Sequence, residues 1–160
     1  MKKGPKVNGF TLIEILLVIS LFAITSSLLL VNITRPKGIA DLQSTEDLIY
    51  ATVKEAQSLA MAGSTGDYGV HFELDRFTLF EGSTYSPGDP NNLKTTLNTN
   101  LTIESISLPS GGGNDVVFSQ ISGEVQDLSL GGFGSFLLKE SNTSETKTFT
   151  LTSLGALDVN

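Results

Sequence analysis

Gly9 to Ile33 reads GFTLIEILLVISLFAITSSLLLVNI, and this stretch decides the fold of the chain. After Glu14 no charged residue appears until Arg35. A helix needs roughly 20 apolar residues to cross a hydrocarbon core of about 30 Å, so residues 10–34 are predicted to form a membrane-spanning helix. Lysines precede it and a polar, acidic remainder follows, which places the N-terminus in the cytoplasm and the remainder outside.

Two simpler kinds of apolar segment compete with this interpretation. A secretory signal peptide has an apolar stretch of about 7–15 residues that ends at a small-x-small cleavage site. Here the run is longer and no Ala-x-Ala pattern follows it, while Gly9 lies before the run instead of after it. A plain membrane anchor is the second alternative, and it leaves Glu14 unexplained.

Glu14 is a carboxylate within the predicted membrane helix. Its burial there costs about 2.5–3.5 kcal/mol on translocon scales, so such a residue normally has a partner and a function. In one interpretation it reaches the headgroups. In the other, the chain is cut after Gly9 and Phe10 carries an amine one helical turn from Glu14. The two charges could pair within one subunit or between neighbouring subunits, and the second arrangement would set the axial stagger of packed helices.

These residues carry a family resemblance. The lysine-rich leader, Gly9-Phe10-Thr11-Leu12-Ile13-Glu14 and the apolar helix resemble the signal of type IV prepilins and type II secretion pseudopilins. The resemblance covers about the first quarter of the chain. It implies that prepilin peptidase cuts between Gly9 and Phe10 and methylates the Phe10 amine, and that Glu14 helps to recruit and register subunits. The implied partners are other pilin or pseudopilin subunits, the peptidase, an inner-membrane assembly platform and, before assembly, membrane lipid.

The segment after the apolar run predicts an amphipathic continuation of the helix over residues 35–62. Pro36 and Gly38 favour a kink, or a helix end followed by a new helix. Apolar residues then recur at helical spacing, which predicts one buried stripe made of Leu42, Ile49, Val53, Ala56 and Ala60. Gly63 is the predicted C-terminal cap.

From residue 63 to 160 the pattern changes to period two, which predicts a β-rich head. A turn at Asp75-Arg76 would pair Leu74 with Phe77 and Phe72 with Leu79. Further predicted strands are Leu101–Leu108, Val116–Phe118, Gly123–Leu130, Phe133–Lys139, Lys147–Thr152 and Ala156–Val159, separated by the turn-rich segments Gly82–Asn98, Pro109–Asp115 and Glu140–Glu145. The predicted class is α+β, with a mostly antiparallel sheet or small sandwich packed on the helix stripe.

The head carries a second resemblance. It is similar to the H-type minor pseudopilins and their minor-pilin relatives in Tyr68–Phe72, in Phe118 with Gly123, and in Phe149–Val159 with Gly155. The predicted organisation is therefore a cleaved leader (1–9), an assembly helix (10–34), an amphipathic helix (35–62) and a head (63–160).

Composition and motifs argue against chemistry in the head. The chain has no cysteine, and its formal net charge of −7 becomes −10 without the leader, which holds three lysines and no acid. Nucleic acid is therefore not an expected partner. His71 is the only histidine, and it is expected on the sheet face opposite Phe72. The Ser110–Asp115 segment lacks the lysine of a phosphate loop. Gly88–Asn92 lacks EF-hand spacing and is expected to be a solvated turn, with a calcium site as the alternative.

The sequence therefore predicts a structural subunit, and a minor one, of a type II secretion pseudopilus or a type IV pilus, with no catalytic residue, cofactor or metal. One alternative is a membrane-anchored extracytoplasmic binding module, such as an adhesin or a ligand-binding tip pilin. Another is an exported enzyme with an uncleaved anchor. The combination of Gly9, Phe10 and Glu14 favours the filament subunit, because an anchor needs neither the glycine nor the buried acid. The purpose of the filament stays open, since secretion, adhesion, motility and DNA-uptake machines share this signal.

Overall fold

The computed structural model describes residues 10–30, 34–63, 66–128 and 132–160. The chain divides into two compact units, Met1–Pro36 and Lys37–Asn160. Helix α1 spans Leu12–Leu30 and helix α2 spans Thr34–Ala62. Within the described residues, no helix combines the length and the apolar character that a membrane crossing requires. The predicted leader, with Gly9, lies outside the described residues, as does the 31–33 part of the predicted spanning segment.

Helix α2 carries the predicted apolar stripe. Every residue of that stripe is at most 2% exposed: Leu42, Ile49, Val53, Ala56 and Ala60. Pro36 lies in the first turn of α2, where its missing N–H has no helical partner to lose. At the other end Gly63 has a φ of 68° and donates its N–H to Ala60 O at 3.1 Å. The predicted C-terminal cap is therefore confirmed.

The described part of the head contains eight strands in two antiparallel four-stranded sheets. They are β1 (Tyr68–Phe72), β2 (Arg76–Glu81), β3 (Leu93–Thr96), β4 (Leu101–Ser107), β5 (Asp115–Phe118), β6 (Phe133–Glu140), β7 (Thr146–Thr152) and β8 (Leu157–Val159). The first sheet has the order β3-β2-β1-β5 and the second the order β4-β6-β7-β8. One buried cluster joins the α2 stripe to residues of both sheets. The predicted α+β class is confirmed.

The predicted register of the β1–β2 hairpin is wrong. Phe72 pairs with Phe77 and Val70 pairs with Leu79, and Leu74 lies in the turn with 65% of its surface exposed. The turn lies one residue earlier than predicted, at Leu74-Asp75, because the N–H of Glu73 donates to Arg76 O at 2.9 Å. The pairing has moved by two residues, and an even shift keeps each side chain on its own face. Phe72, Phe77 and Leu79 therefore still face the core.

Two further strand assignments differ from the sequence prediction. In the described part of Gly123–Leu130, Val125 makes an isolated bridge to Phe118 instead of a strand. Asp127 has a φ of 58°, which extended backbone cannot accommodate. The segment Gly82–Asn98, predicted to be irregular, contains the edge strand β3. Strand β3 was missed because its sequence, LKTT, shows no apolar alternation.

Candidate assembly site

The first turn of α1 is capped by Thr11. The N–H of Glu14 lies 3.4 Å from Thr11 Oγ1 and donates to Thr11 O at 3.1 Å, while the N–H of Ile15 also reaches Thr11 O at 3.3 Å. Thr11-Leu12-Ile13-Glu14 has the T-x-x-E spacing of a capping box, a local signal that the sequence interpretation missed. Only the threonine half of the box forms. Among the described residues, none donates a hydrogen bond to the Glu14 carboxylate or pairs with it.

Glu14 lies in a shallow apolar depression on α1. The residues that line it are Phe10, Glu14, Ile15, Val18 and Ile19. Their spacing places them on one side of the helix. Four of the five are apolar, and Phe10 is 82% exposed. The depression therefore combines a solvent-facing apolar wall with one carboxylate that no residue in the described part of the chain pairs with.

The remainder of α1 is also suited to an apolar environment. From residue 12 to 26 its side chains are exposed in the single chain, and most of them are Leu, Ile, Val or Phe. Ser20 Oγ donates to Leu16 O at 2.9 Å, and Thr25 Oγ1 donates to Leu21 O at 3.0 Å. These hydroxyls satisfy their hydrogen bonds within the helix, so apolar surroundings would not leave them unpaired. Within residues 10–30, by contrast, the Glu14 carboxylate accepts no hydrogen bond.

The His71 imidazole packs between two head residues that are distant in sequence. It lies on the sheet face opposite Phe72, as predicted. Its Nδ1 contacts Asp115 Oδ1, and Asp115 is almost completely buried. Its ring stacks on Tyr85 with centroids 4.0 Å apart and planes inclined by 12°. The contacts fasten the Tyr85 loop to the outer face of the first sheet. Sequence reasoning missed Asp115 because it lies 44 positions away.

The candidate calcium loop, Gly88–Asn92, has polar side chains that form hydrogen bonds with nearby backbone atoms. Asp89 Oδ1 accepts the N–H of Asn91 at 2.8 Å, and Asn92 Nδ2 donates to Ser86 O at 2.7 Å. The first is an Asx turn, in which the side chain mimics the backbone, and the second joins residues six positions apart in the loop. Within the residues that the structure describes, no three His, Cys, Asp or Glu side chains come together in a way that could hold a metal ion.

Glu140 is the one carboxylate that is completely buried, with 0% exposure among the described residues. Strict alternation along β6 places it on the core side, a signal that the sequence contained and that was not used. The hydrogen bond from the Thr143 hydroxyl, at 2.7 Å, contributes most to lowering the pKa of Glu140 from 4.5 to about 2. The side-chain amides of Asn100 and Asn142 donate to its Oε1 at 3.2 and 2.9 Å.

Glu140 connects the second sheet to α2. A Cβ on Gly38 would lie 3.1 Å from the Glu140 carboxyl carbon, so glycine lets the helix approach the carboxylate. Asn100 Nδ2 also lies 3.5 Å from Asp41 Oδ2 on the same helix. This buried polar cluster is structural, because its donors already occupy both carboxylate oxygens.

Comparison with known proteins supplies two findings. Residues 4–30 match the family described as the prokaryotic N-terminal methylation motif. The fold is similar to the crystal structure of the type IV minor pilin FimU of Pseudomonas aeruginosa, with a TM-score of 0.58 and 14% sequence identity. That similarity covers 76% of this chain and 89% of the FimU chain. No curated protein sequence matches the chain.

Proposed function

We propose that this chain, which the methylation motif and the minor-pilin fold support as a type IV pilin-family protein, is a filament subunit. The proposed filament is a type IV pilus or a type II secretion pseudopilus, and the role is structural and not enzymatic. The observation that carries the proposal is the surface of α1. It is apolar, exposed in the single chain, and holds one carboxylate that has no partner among the described residues.

Packing of α1 against other α1 helices accounts for each part of that surface. Exposed apolar side chains lose their contact with water when helices pack, which contributes roughly 25 cal/mol per Å² buried. The Glu14 carboxylate would then need a cation. Cleavage between Gly9 and Phe10 would create one at the Phe10 amine, and methylation of that amine would keep its charge. An amine–carboxylate pair between neighbours fixes one axial offset, since any other offset leaves both charges unpaired in a medium of low dielectric constant.

The proposal assigns partners and a location to each stage. Before assembly the chain lies in the inner membrane as a single-pass protein, with its N-terminus in the cytoplasm and its head outside. Prepilin peptidase processes it there, and the assembly platform extracts it into the filament. Within the filament its partners are other pilin or pseudopilin subunits. A minor role is part of the proposal, because the fold resembles a minor pilin.

The first experiment tests both the cleavage after Gly9 and the role of Glu14 in subunit register. Intact-mass and peptide mass spectrometry of the protein from its native membrane is expected to give a chain that begins at methylated Phe10. Glu14→Ala is expected to insert into the membrane normally but to enter filaments at least tenfold less. Loss of about 1.4 kcal/mol per subunit contact already lowers an association constant tenfold. Sheared filaments and membranes are compared by quantitative immunoblotting.

Glu55→Ala is the matched control, because it removes the same charge from an exposed position of α2. This variant is expected to enter filaments at the wild-type level. A chain that still begins at Met1 would refute processing after Gly9. Normal filament content of Glu14→Ala would refute the register role of this carboxylate.

A further inference from the structure

Thr78 is a buried polar residue on the outer face of the first sheet. Phe77 and Leu79 face the core, so alternation along β2 places Thr78 on the opposite face. Its side chain is nevertheless 0% exposed. Its hydroxyl has no hydrogen-bond partner among the residues that the structure describes. Such a hydroxyl costs free energy, because it has given up its hydrogen bonds with water and gained none in return.

The loop that follows β2 covers this hydroxyl with the ring of Tyr85. Thr78 lies opposite His71 in the strand register, and Phe80 follows two residues later on the same face. The Tyr85 ring stacks on His71 and lies 5.5 Å from Phe80, measured between ring centroids. Tyr85 therefore bridges two neighbours of Thr78.

The same loop is also attached from the other side of Thr78. Lys94 of β3 pairs with Thr78 across the strands, and Lys94 Nζ donates to Pro87 O at 3.3 Å. We call residues 82–92 the strap. Thr78 lies beneath the strap, between the attachments at Tyr85 and Pro87.

Few contacts hold the strap on the sheet. Residues 83, 84 and 86–91 are exposed, and Tyr85 is the one half-buried residue among them. The lysine that reaches Pro87 is itself exposed. At the start of the strap, Gly82 has a φ of 107°, and a Cβ there would meet nothing within 4 Å, which suits a hinge. Segments with so little buried apolar surface open locally at a small cost in free energy.

Two opposing contributions therefore act on the closed strap. Stacking of Tyr85 on His71 favours closure, whereas burial of the Thr78 hydroxyl disfavours it. Opening would let water reach that hydroxyl and would uncover His71 with its buried partner Asp115. We propose that the strap opens and closes in the folded chain, held closed by Tyr85 and kept in exchange by the unpaired hydroxyl of Thr78. The strap would move whether or not the chain enters a filament, so failure of the proposed function leaves it standing.

His71 gives a direct measure of strap opening, because it is the only histidine of the chain. In the closed state its ring is covered by Tyr85, and its side chain is 15% exposed. Diethyl pyrocarbonate, which acylates an accessible imidazole nitrogen, is added to the full chain in detergent at one fixed pH. Mass spectrometry of the peptide that contains His71 gives the rate of modification.

Thr78→Val removes the hydroxyl and keeps the branched shape of the side chain. Closure is then no longer disfavoured, so modification of His71 is expected to slow by about fivefold or more. Thr148→Val is the matched control, because it makes the same change at an exposed position of β7, and it is expected to keep the wild-type rate. A wild-type rate for Thr78→Val, or equal slowing in both variants, would overturn the proposal.

Tyr85→Ala is a second test that does not depend on Thr78. Loss of the ring stack is expected to speed the modification of His71 by about fivefold, while the circular dichroism of the strands stays unchanged. An unchanged rate would overturn the proposal, because Tyr85 would then not hold the strap closed. Loss of the strand signal would also overturn it, because Tyr85 would then stabilise the head itself instead of a movable strap.

Discussion

A stack of three aromatic rings links the two sheets, and its removal gives the largest predicted effect on stability. Phe72 of the first sheet lies 4.4 Å from Phe136 of the second, measured between ring centroids. Phe136 in turn stacks on Phe149 at 4.6 Å with planes inclined by 8°. All three side chains are at most 2% exposed. Phe136 is therefore the central ring, and its replacement by alanine would remove both contacts and leave a cavity between the sheets.

The magnitude of this effect follows from burial and from the two ring contacts. Replacing a buried phenylalanine by alanine costs about 3–5 kcal/mol. Aromatic pairs contribute roughly 0.5–1.5 kcal/mol beyond their buried area, which places Phe136→Ala near the upper end of that range. Against a total stability of about 5–15 kcal/mol, the variant would lose a third or more. For a unit of this size, the unfolding temperature should fall by roughly 12–20 °C.

Thermal unfolding of the full chain in detergent, followed through the circular dichroism of the strands, measures this shift. Phe133→Ala is the matched control, because Phe133 lies on the same strand but is 67% exposed. It should change stability by no more than about 0.5 kcal/mol. A loss below about 1.5 kcal/mol for Phe136→Ala, or equal losses for both variants, would show that the ring stack does not hold the sheets together.

Two further predictions concern buried positions of the head. Hydrogen bonds from Thr143 keep the pKa of Glu140 near 2 in the folded chain, compared with an ordinary value of 4.5. The stabilising contribution of the Glu140 carboxylate is therefore complete above pH 4.5 and is lost as the pH falls towards 2. Glu140→Gln should remove this pH dependence, so the free energy of unfolding measured with urea should change less between pH 4.5 and pH 2 than in the wild type. An unchanged slope of stability against pH would contradict this. Gly69→Ala should cost about 1–3 kcal/mol or more, because the added Cβ would lie 2.5 Å from Phe80 Cζ. Gly88→Ala is the control and should be nearly neutral, because a Cβ there would meet open space. Similar urea midpoints for the two variants would refute the crowding argument.

Features that depend on neighbouring residues in the sequence could be predicted without the structure. The buried stripe of α2 could be predicted because Ile49, Val53 and Ala60 repeat at helical spacing. Gly63 was readable as a cap because glycine adopts positive φ without strain. The core strands β6 and β7 were readable from their alternation. In each case the pattern that identifies the element lies within a few positions along the chain.

The strand register and the partners of individual side chains could be assigned only from the tertiary structure. The β1–β2 register was wrong by two residues because the even shift keeps Phe72 and Phe77 on the core face, so the apolar pattern fits both registers. The partner of His71 was invisible because Asp115 reaches it only when β5 pairs with β1. Such contacts are fixed by packing across the whole core and not by local preference.

The two ends of the described helices divide along the same line. The sequence by itself determined the proposed N-terminal assembly site, since Phe10 and Glu14 lie one helical turn apart and the apolar run surrounds them. Only the tertiary structure decided which loops lie at the C-terminal end of α2. Ala60 O accepts the N–H of Ile121, and Gln57 Nε2 donates to Gly123 O and Leu154 O. A local pattern cannot encode these contacts, because Gln57 lies 66 and 97 positions from its two partners.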